Sequence, residues 1–359
     1  MTTTSTPGTS TDATAELRDT VASMIARIDR APAGEWDREL LAELNRAALT
    51  WISLPEELGG PGGTLAEAAA VVRTLSRSGR ATPIAELSMI AAPVAARAGL
   101  APPAGVVTVS PARTTLDAYR DGEGYRVSGE LRGVPWAQQA DAILVPLRAD
   151  GALLVAALPV GEVTGGRLRL ATQPLGTVTL DNVRVPGDMA AQWPDPVAES
   201  PLLAFGALAR ATQMLGALEG ALELSINHVT TREQFGRPLA RFQAVQHLMA
   251  EFGSEVLVTE SAVDAALAAH GTADFGDAVA VAKICAGHAV RIGAHAAHQV
   301  HAALGFTDEY PLSGLTRSMR GWRDDFGGDA FWSERFLDSV VDPDTGEVWP
   351  RLSAVGTGG

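Results

Sequence analysis

The sequence predicts a mainly α-helical protein with a small β-domain at its centre. Apolar residues recur at helical spacing on both sides of a middle region, where they instead form short runs separated by Gly, Asp and Pro. Hydrophobic residues make up 46% and charged residues 19% of the chain, a balance that favours helices packed against one another. Because 359 residues are too many for one hydrophobic core, several domains are expected.

An N-terminal helical domain is predicted at residues 15–102. Helices over residues 65–78 and 84–98 follow a Gly-Pro-Gly-Gly turn, and an earlier helix has one apolar face. Residues 1–14 are rich in Thr, Ser, Gly and Pro and are predicted to be a disordered tail. The apolar face of the first helix is formed by Leu17, Val21, Met24, Ile25 and Ile28.

The middle β-domain is predicted at residues 103–195. Its apolar runs are too short for helices and are bounded by turn residues, which is typical of strands. The last strand is ended by Pro186 and the Gly that follows it. The predicted strands are residues 105–109, 125–131, 143–147, 153–158 and 177–185.

Helical periodicity returns at residues 196–345, and four to six helices fit this length. Turn residues interrupt it at 236–238, at 271–274 and around Gly305, so the segment is predicted to be a helical bundle. The Gly-rich residues 346–359 are predicted to be a loose tail.

Charge and cysteine content limit the possible functions. The formal net charge of -14 disfavours binding to nucleic acid, although a local cluster of Arg and amide groups can still bind a phosphorylated cofactor. Cys285 is the only cysteine, so the chain has no internal disulfide and suits a reducing compartment. We find neither a signal-peptide pattern nor a transmembrane-length apolar run, and we therefore expect a cytoplasmic protein without membrane insertion.

Three motifs resemble those of the acyl-CoA dehydrogenase family. They are Leu-Asp-Asn-Val-Arg-Val-Pro at 180–186, Arg-Glu-Gln-Phe-Gly at 232–236, and Gln-Val-His-Ala-Ala-Leu-Gly-Phe-Thr at 299–307, which Glu-Tyr-Pro-Leu follows. The resemblance extends over about residues 15–342. It implies a helical N-terminal domain, a middle β-barrel-like domain and a C-terminal four-helix bundle, with FAD as cofactor and an acyl-CoA thioester as substrate. It also implies electron transfer to an electron-transferring flavoprotein or another acceptor.

The resemblance assigns five residues to the ADP half of a FAD whose flavin lies in the neighbouring subunit. An Arg beside backbone amides is suited to hold a diphosphate by charge-assisted hydrogen bonds. The alternative is that the Arg lies at a helix C-terminus for structural reasons and that the Phe packs in the core. The five residues are Arg232, Gln234, Phe235, Gln243 and Gln299.

The catalytic base of the family is missing at both of its usual positions. A family dehydrogenase uses a Glu to remove the α-proton of the thioester while FAD accepts hydride from the β-carbon. The resemblance aligns Gly327 with the usual Glu and Gly206 with the Glu of a minority of members. Asp325 and Asp329 are weak candidates for a displaced base, and the catalytic residue is therefore left open.

The pocket for the chain's own flavin also departs from the family pattern. Gly133 and Pro135 stand where members carry a Trp and a Thr or Ser against the flavin. Some bacterial members that act on steroid-derived thioesters are mixed tetramers, in which one subunit type lacks the base and completes its partner's FAD site. This chain resembles that subunit type. The alternatives are a self-sufficient enzyme with a displaced Asp and a non-catalytic scaffold.

Other chemistry-bearing residues are interpreted as structural. The four histidines at 288, 295, 298 and 301 share one predicted helix, but no metal site is predicted, because Ala and Gly fill the positions between them. Cys285 lies in an apolar context and is interpreted as a small core residue. Trp322 and Trp332 are interpreted as core or interface packing. Arg210 is assigned either to an acyl-CoA contact or to the surface.

Overall fold

The computed structural model confirms a helical N-terminal domain, a middle domain of two β-sheets and a helical C-terminal domain. It describes residues 8–31, 35–110, 116–164, 173–195, 200–341 and 345–348. In this part of the chain, no helix combines the length and the apolar character needed to cross a membrane.

The N-terminal domain contains four α-helices and one π-helical segment. The third helix begins at a capping box, in which Thr64 and Glu67 satisfy each other's backbone N–H groups. The π-helical segment runs directly into the fourth helix and is buried over its whole length. The elements are α1 (Gly8–Arg27), α2 (Arg38–Arg46), α3 (Leu65–Arg77), the π-helical segment (Ala85–Ala91) and α4 (Ala92–Ala98).

The predicted N-terminal tail is wrong from Gly8 onward, because α1 already begins there. Helix propagation adds one hydrogen bond for each residue fixed, so a helix nucleated by the amphipathic residues after 15 extends into a polar segment. The other residues of that tail, 1–7, and residues 349–359 of the predicted C-terminal tail lie outside the described residues.

The middle domain has two four-stranded sheets. One has the strand order β1-β4-β5-β8 and the other the order β2-β3-β7-β6. All five predicted strands are present, and the additional β2, β6 and β8 are edge strands that are mostly exposed or short. The strands are β1 (Val107–Val109), β2 (Asp117–Asp121), β3 (Gly124–Pro135), β4 (Ala142–Ala149), β5 (Ala152–Pro159), β6 (Glu162–Thr164), β7 (Leu175–Val185) and β8 (Ala190–Gln192).

The first sheet is buried on both faces. Ile143 and Val145 of β4 face the core between the two sheets, whereas Leu144 belongs to the large core shared with the helices. In β5, Leu154 faces the core between the two sheets, whereas Val155 belongs to the large core shared with the helices. Burial on both faces explains why these strands are continuous apolar runs in the sequence rather than alternating ones.

The C-terminal domain is built around one central helix. This helix, α5, is buried along most of its length and packs against α3 and the other bundle helices. Three helices are 26 to 29 residues long and two have 12 residues, and the predicted interruptions coincide with their ends. The elements are α5 (Leu203–Thr231), β9 (Glu233–Gln234), β10 (Arg237–Pro238), α6 (Gln243–Ala268), α7 (Phe275–His301), α8 (Pro311–Trp322) and α9 (Asp329–Val340).

Short connections make α5, α6 and α7 run alternately up and down. The C-terminus of α5, the N-terminus of α6 and the C-terminus of α7 therefore meet at one end of the bundle. The rings of His228 on α5 and His301 on α7 stack there with centroids 4.4 Å apart. We call this region, residues 226–243 with residues 295–306, the hairpin end.

Lys283 on α7 is the only lysine of the chain, and it is buried. Its Nζ donates hydrogen bonds to the backbone carbonyls of Arg323 at 2.6 Å and Gly327 at 2.8 Å. These bonds tie both ends of the loop between α8 and α9 to α7. Burial lowers the pKa of Lys283 from its ordinary value of 10.5 to about 8.

This shift predicts a stability that rises with pH. Between pH 8 and 10.5 the folded protein has released the Lys283 proton while the unfolded chain retains it, so the unfolded state binds more protons. Relative to Lys283→Met, the wild type should gain roughly 3 kcal/mol of unfolding free energy across this window. Urea titrations at several pH values measure it, with Cys285→Ala as a control that keeps the rise. The same pH dependence in Lys283→Met would contradict the prediction.

Candidate functional site

Both positions aligned with the family's Glu are closed to side chains. A Cβ added to Gly206 on α5 would overlap the ring of Phe326. Gly327 has a φ of +94°, and a Cβ there would lie 2.5 Å from the ring of Phe331 and 2.8 Å from Nε1 of Trp332. At both positions, the backbone conformation or the packing therefore leaves no room for the side chain of a Glu.

The side chain that faces Gly206 is that of Phe326, one residue before the position that the sequence alignment selected. Phe326 is buried, and its φ of +54° is rare for a residue with a side chain. Trp332 is also buried, as predicted, and donates from Nε1 to the Phe326 carbonyl at 2.9 Å. A phenyl ring, which cannot accept a proton, thus fills the space beside α5.

Arg210, one turn further along α5, is fully buried, so the alternative of a surface role is wrong. Its guanidinium lies 2.8 Å from Oε1 of Glu86 and donates to Oδ2 of Asp325 at 2.9 Å and to Oε1 of Gln213 at 2.6 Å. It also lies over the Phe326 ring, 5.7 Å from its centroid. A buried cation requires such compensation.

Glu86 is a candidate site residue that the sequence analysis did not identify. It lies in the π-helical segment and is fully buried beside Arg210. Gln173 donates to its Oε1 at 2.9 Å and accepts from Nε1 of the buried Trp322 at 3.0 Å. The sequence contained one signal for this role. Glu86 is a single Glu among small and apolar residues, and a carboxylate in such a run needs a buried partner.

The two candidate aspartates have structural partners. Oδ2 of Asp325 accepts from Arg210, and burial raises the pKa of Asp325 despite this cation. Asp329 begins α9 and packs against Gly287 of α7, with Oδ2 3.5 Å from Nε of Arg323. Asp325 thus serves as a counter-ion of Arg210.

The two residues at the predicted flavin side, Gly133 and Pro135, carry neither an aromatic nor a hydroxyl side chain. Gly133 lies where the register of β3 against β7 shifts, and the Pro135 carbonyl accepts from Thr108 Oγ1 at 2.5 Å. The next residue, Trp136, is buried and lines a cavity of ≈ 20 Å³ together with residues of all three domains, including Gln173 and Gln213. This volume holds about one water molecule.

The residues assigned to the ADP half of FAD, by contrast, are exposed and lie at the hairpin end. Arg232 follows the last residue of α5, and Gln243 is the first residue of α6. Gln234 is the last residue of β9, and Phe235 lies in the tight turn that leads to β10, where it is 92% exposed with a φ of +52°. The alternative that Phe235 packs in the core is wrong.

Gln299 lies at the same end, on the last turns of α7, and is exposed. It lines an open pocket of ≈ 400 Å³. An exposed guanidinium with several amide groups at one end of a bundle is a donor set that fits a diphosphate. The structure thus gathers all five predicted residues at the hairpin end.

The histidines of α7 take part in separate contacts. His301 is buried, stacks on His228 and lies 3.1 Å from the Tyr310 hydroxyl, whereas His298 stacks on Phe306 at 4.2 Å. The described residues contain no group of three His, Cys, Asp or Glu side chains placed to bind a metal. Burial raises the pKa of the Cys285 thiol, which disfavours the nucleophilic thiolate.

The contact between Gly206 and Phe326 predicts an unusual response to Gly206→Ala. Because the added methyl group overlaps a buried ring, the change should destabilise the protein by roughly 2 kcal/mol. In a Phe326→Ala background it should no longer destabilise. Gly253→Ala on α6 is the matched control, since nothing lies within 4 Å of its Cβ and Ala favours the helix. Urea unfolding measures all four variants, and a Gly206→Ala protein as stable as Gly253→Ala would contradict the prediction.

Family models match most of the helical parts of the chain. The N-terminal domain model of acyl-CoA dehydrogenases matches residues 11–100, and the C-terminal domain model matches residues 196–327. Members of this family use FAD.

Individual relatives agree with the models. The chain is 31% identical to acyl-CoA dehydrogenase FadE27 of Mycobacterium tuberculosis over 310 residues, which are 77% of this chain and 81% of that protein. It is 29% identical to acyl-CoA dehydrogenase IpdE2 of the same organism over 309 residues, 82% of this chain and 87% of IpdE2. A chain of the ChsE4-ChsE5 complex from M. tuberculosis has the same fold, with a TM-score of 0.84, 24% identity and coverage of 96% of this chain and 100% of that chain. The chain therefore belongs to the acyl-CoA dehydrogenase family.

Proposed function

We propose that this chain is the subunit of a mixed acyl-CoA dehydrogenase oligomer that lacks the catalytic base and supplies the ADP-side contacts to its partner's FAD. The proposal rests on a contrast between two regions of the chain. Phe326 fills the space of the base, while Arg232 and Phe235 stand exposed at the hairpin end. The chain thus lacks the means to act on an acyl-CoA but retains a surface suited to a neighbour's cofactor.

Exposure of Phe235 supports a role at an interface. A large aromatic side chain is stabilised by removal from water, and a left-handed backbone conformation at a non-glycine residue is strained. Phe242 makes an edge-to-face contact with Phe235 at 6.2 Å, and Arg237 lies 4.1 Å from the Phe242 centroid. The turn is therefore held in place in the single chain, ready for a partner surface.

In the proposed oligomer the work is divided between the subunits. FAD bound in the partner supplies hydride acceptance from the β-carbon of an acyl-CoA thioester. The base that removes the α-proton also belongs to the partner, because this chain has Gly206, Phe326 and Gly327 at the relevant positions. This chain binds and orients the ADP half of the cofactor through Arg232 and the amide side chains. The ChsE4-ChsE5 complex is a precedent for a chain of this fold within a complex of two proteins.

The two alternative functions, a self-sufficient enzyme and a non-catalytic scaffold, require other roles for these residues. A self-sufficient enzyme would need Asp325 or Asp329 as base, yet Asp325 is bonded to Arg210 and Asp329 packs against α7. A non-catalytic scaffold would need no cofactor contacts, yet the five residues that the family resemblance assigns to the cofactor are all exposed at the hairpin end. Flavin content and turnover separate the three functions.

The proposed function predicts the flavin content and the turnover of the protein alone and of its complex. The protein alone should hold little FAD and show no acyl-CoA-dependent reduction of a dye, whereas a complex with its dehydrogenase partner should hold about one FAD per heterodimer and turn over. Absorbance spectra and dye reduction measure both quantities. Changing the partner's catalytic Glu to Gln should abolish turnover. A yellow homo-oligomer with one FAD per chain would overturn the proposal, and a colourless complex would favour the scaffold.

The second prediction concerns Arg232. If its guanidinium binds the diphosphate across the interface, Arg232→Ala should weaken FAD retention in the complex by roughly 2 kcal/mol, or about 30-fold. The exposed side chain predicts an unchanged melting temperature for the single chain. Arg291→Ala, at an exposed site on α7, is the control and should retain FAD. Normal FAD content with a lower melting temperature would instead indicate a structural role at the helix C-terminus.

A further inference from the structure

An open pocket of ≈ 440 Å³ lies where the N-terminal helical domain meets the bundle. Helices α1 and α3 of the N-terminal domain and helices α5 and α6 of the bundle all contribute to its lining. It forms where these helices follow one another in space, since α1 packs against α3, α3 against α5 and α5 against α6. The pocket has the size of a small-molecule site, and its lining contains no residue of the hairpin end and none that contacts Phe326.

The floor of the pocket is apolar and is built from small side chains. Ala66, Ala69 and Ala70 place only methyl groups on the face of α3 that lines it. Ala69 and Ala70 are buried, as is Val263, which lines the pocket from α6. Because alkyl groups are stabilised by removal from water, such a floor favours a ligand with an aliphatic chain.

Two side chains of opposite charge line the same pocket and are available to a ligand. Arg18 lies on α1 and Asp264 on α6, and both residues are exposed. Within the described ranges of the chain, neither side chain forms an ion pair or a hydrogen bond. They are nonetheless close enough to interact, since the Arg18 charge favours the ionised form of Asp264 and lowers its pKa.

The remaining charged group of the lining, Arg73 on α3, is already neutralised. Its guanidinium donates to both carboxylate oxygens of Glu219 and to Oε1 of Glu260 at 2.6 Å. Burial raises the pKa of Asp264, and the neighbouring carboxylate of Glu260 adds to this rise, whereas Arg73 opposes it. Two carboxylates bonded to one guanidinium leave an excess of negative charge beside Asp264. A cationic group of a ligand is therefore favoured on the α6 side of the pocket.

We propose that this pocket binds a free aliphatic α-amino acid, with its ammonium group bonded to Asp264, its carboxylate bonded to Arg18 and its side chain on the alanine floor of α3. A ligand of this class compensates both charges, whereas an alkylamine compensates only Asp264 and a fatty acid only Arg18. Bound in this way, it joins α1 of the N-terminal domain to α6 of the bundle. The site is independent of the proposed function, because no residue assigned to FAD lines it.

Calorimetric titration of the isolated full-length protein tests the inference with leucine and two analogues of the same shape. Isopentylamine lacks the carboxylate of leucine, and isocaproate lacks its ammonium group. Leucine should bind, and each analogue should bind at least about tenfold more weakly, because it loses a charge-assisted hydrogen bond. Glycine, which has no side chain to place on the floor, should also bind more weakly than leucine.

Variants of the two charged residues provide the second measurement. Asp264→Asn and Arg18→Gln should each weaken leucine binding at least about tenfold, with unchanged melting temperatures because both residues are exposed. Glu251→Gln on α6 and Arg27→Gln on α1 are matched controls at exposed positions outside the pocket and should keep full affinity. Leucine binding should also weaken as falling pH protonates Asp264, whose pKa is raised, and Asp264→Asn should lose this dependence.

Three results would overturn the inference: no leucine binding at millimolar concentration, equal binding of either analogue, or full leucine affinity in both variants. None of these measurements depends on flavin content or on turnover of the mixed complex. The amino-acid site and the proposed function can therefore fail separately.

Discussion

The arrangement of the site depends on the buried ion pairs of Arg210. Its fully buried guanidinium joins the fully buried Glu86 of the N-terminal domain to Asp325 of the loop before α9, whose side chain is 21% exposed. Loss of one partner of a buried pair typically costs about 3–5 kcal/mol, because the remaining charge stays buried without compensation. Together with the bonds from Lys283, these contacts fix the loop and hold Phe326 against Gly206.

A loop fixed in this way leaves no room for a side chain at Gly206 or Gly327, the two positions aligned with the family's Glu. The closed region lies among α5, the π-helical segment and the loop after α8, where Glu86 and Phe326 are buried. The exposed region lies at the hairpin end, where Phe235 projects into solvent. Because the two regions share α5 but not their contacts, the first can be closed while the residues of the hairpin end stay exposed.

Sequence reasoning succeeded where the signal is local and failed where a distant residue decides. The strands containing Ile143 and Leu154 were predicted from short apolar runs, whereas β2 was missed because its residues are mostly exposed and polar. The alignment assigned Gly327 to the usual position of the family's Glu, but it did not indicate that the ring of the preceding residue, Phe326, lies beside α5, because the conformation of the loop sets which side chain points inward.

The sequence by itself determined the order of the three domains, the interruptions of the bundle, the family and the absence of a Glu at Gly206 and Gly327. These are properties of residue type and local spacing. Only the tertiary structure decided that Arg210 is an internal cation and that Phe235 faces solvent. The physical reason is distance along the chain: 115 residues separate Arg210 from Asp325, and folding alone brings the buried cation and its counter-ion together.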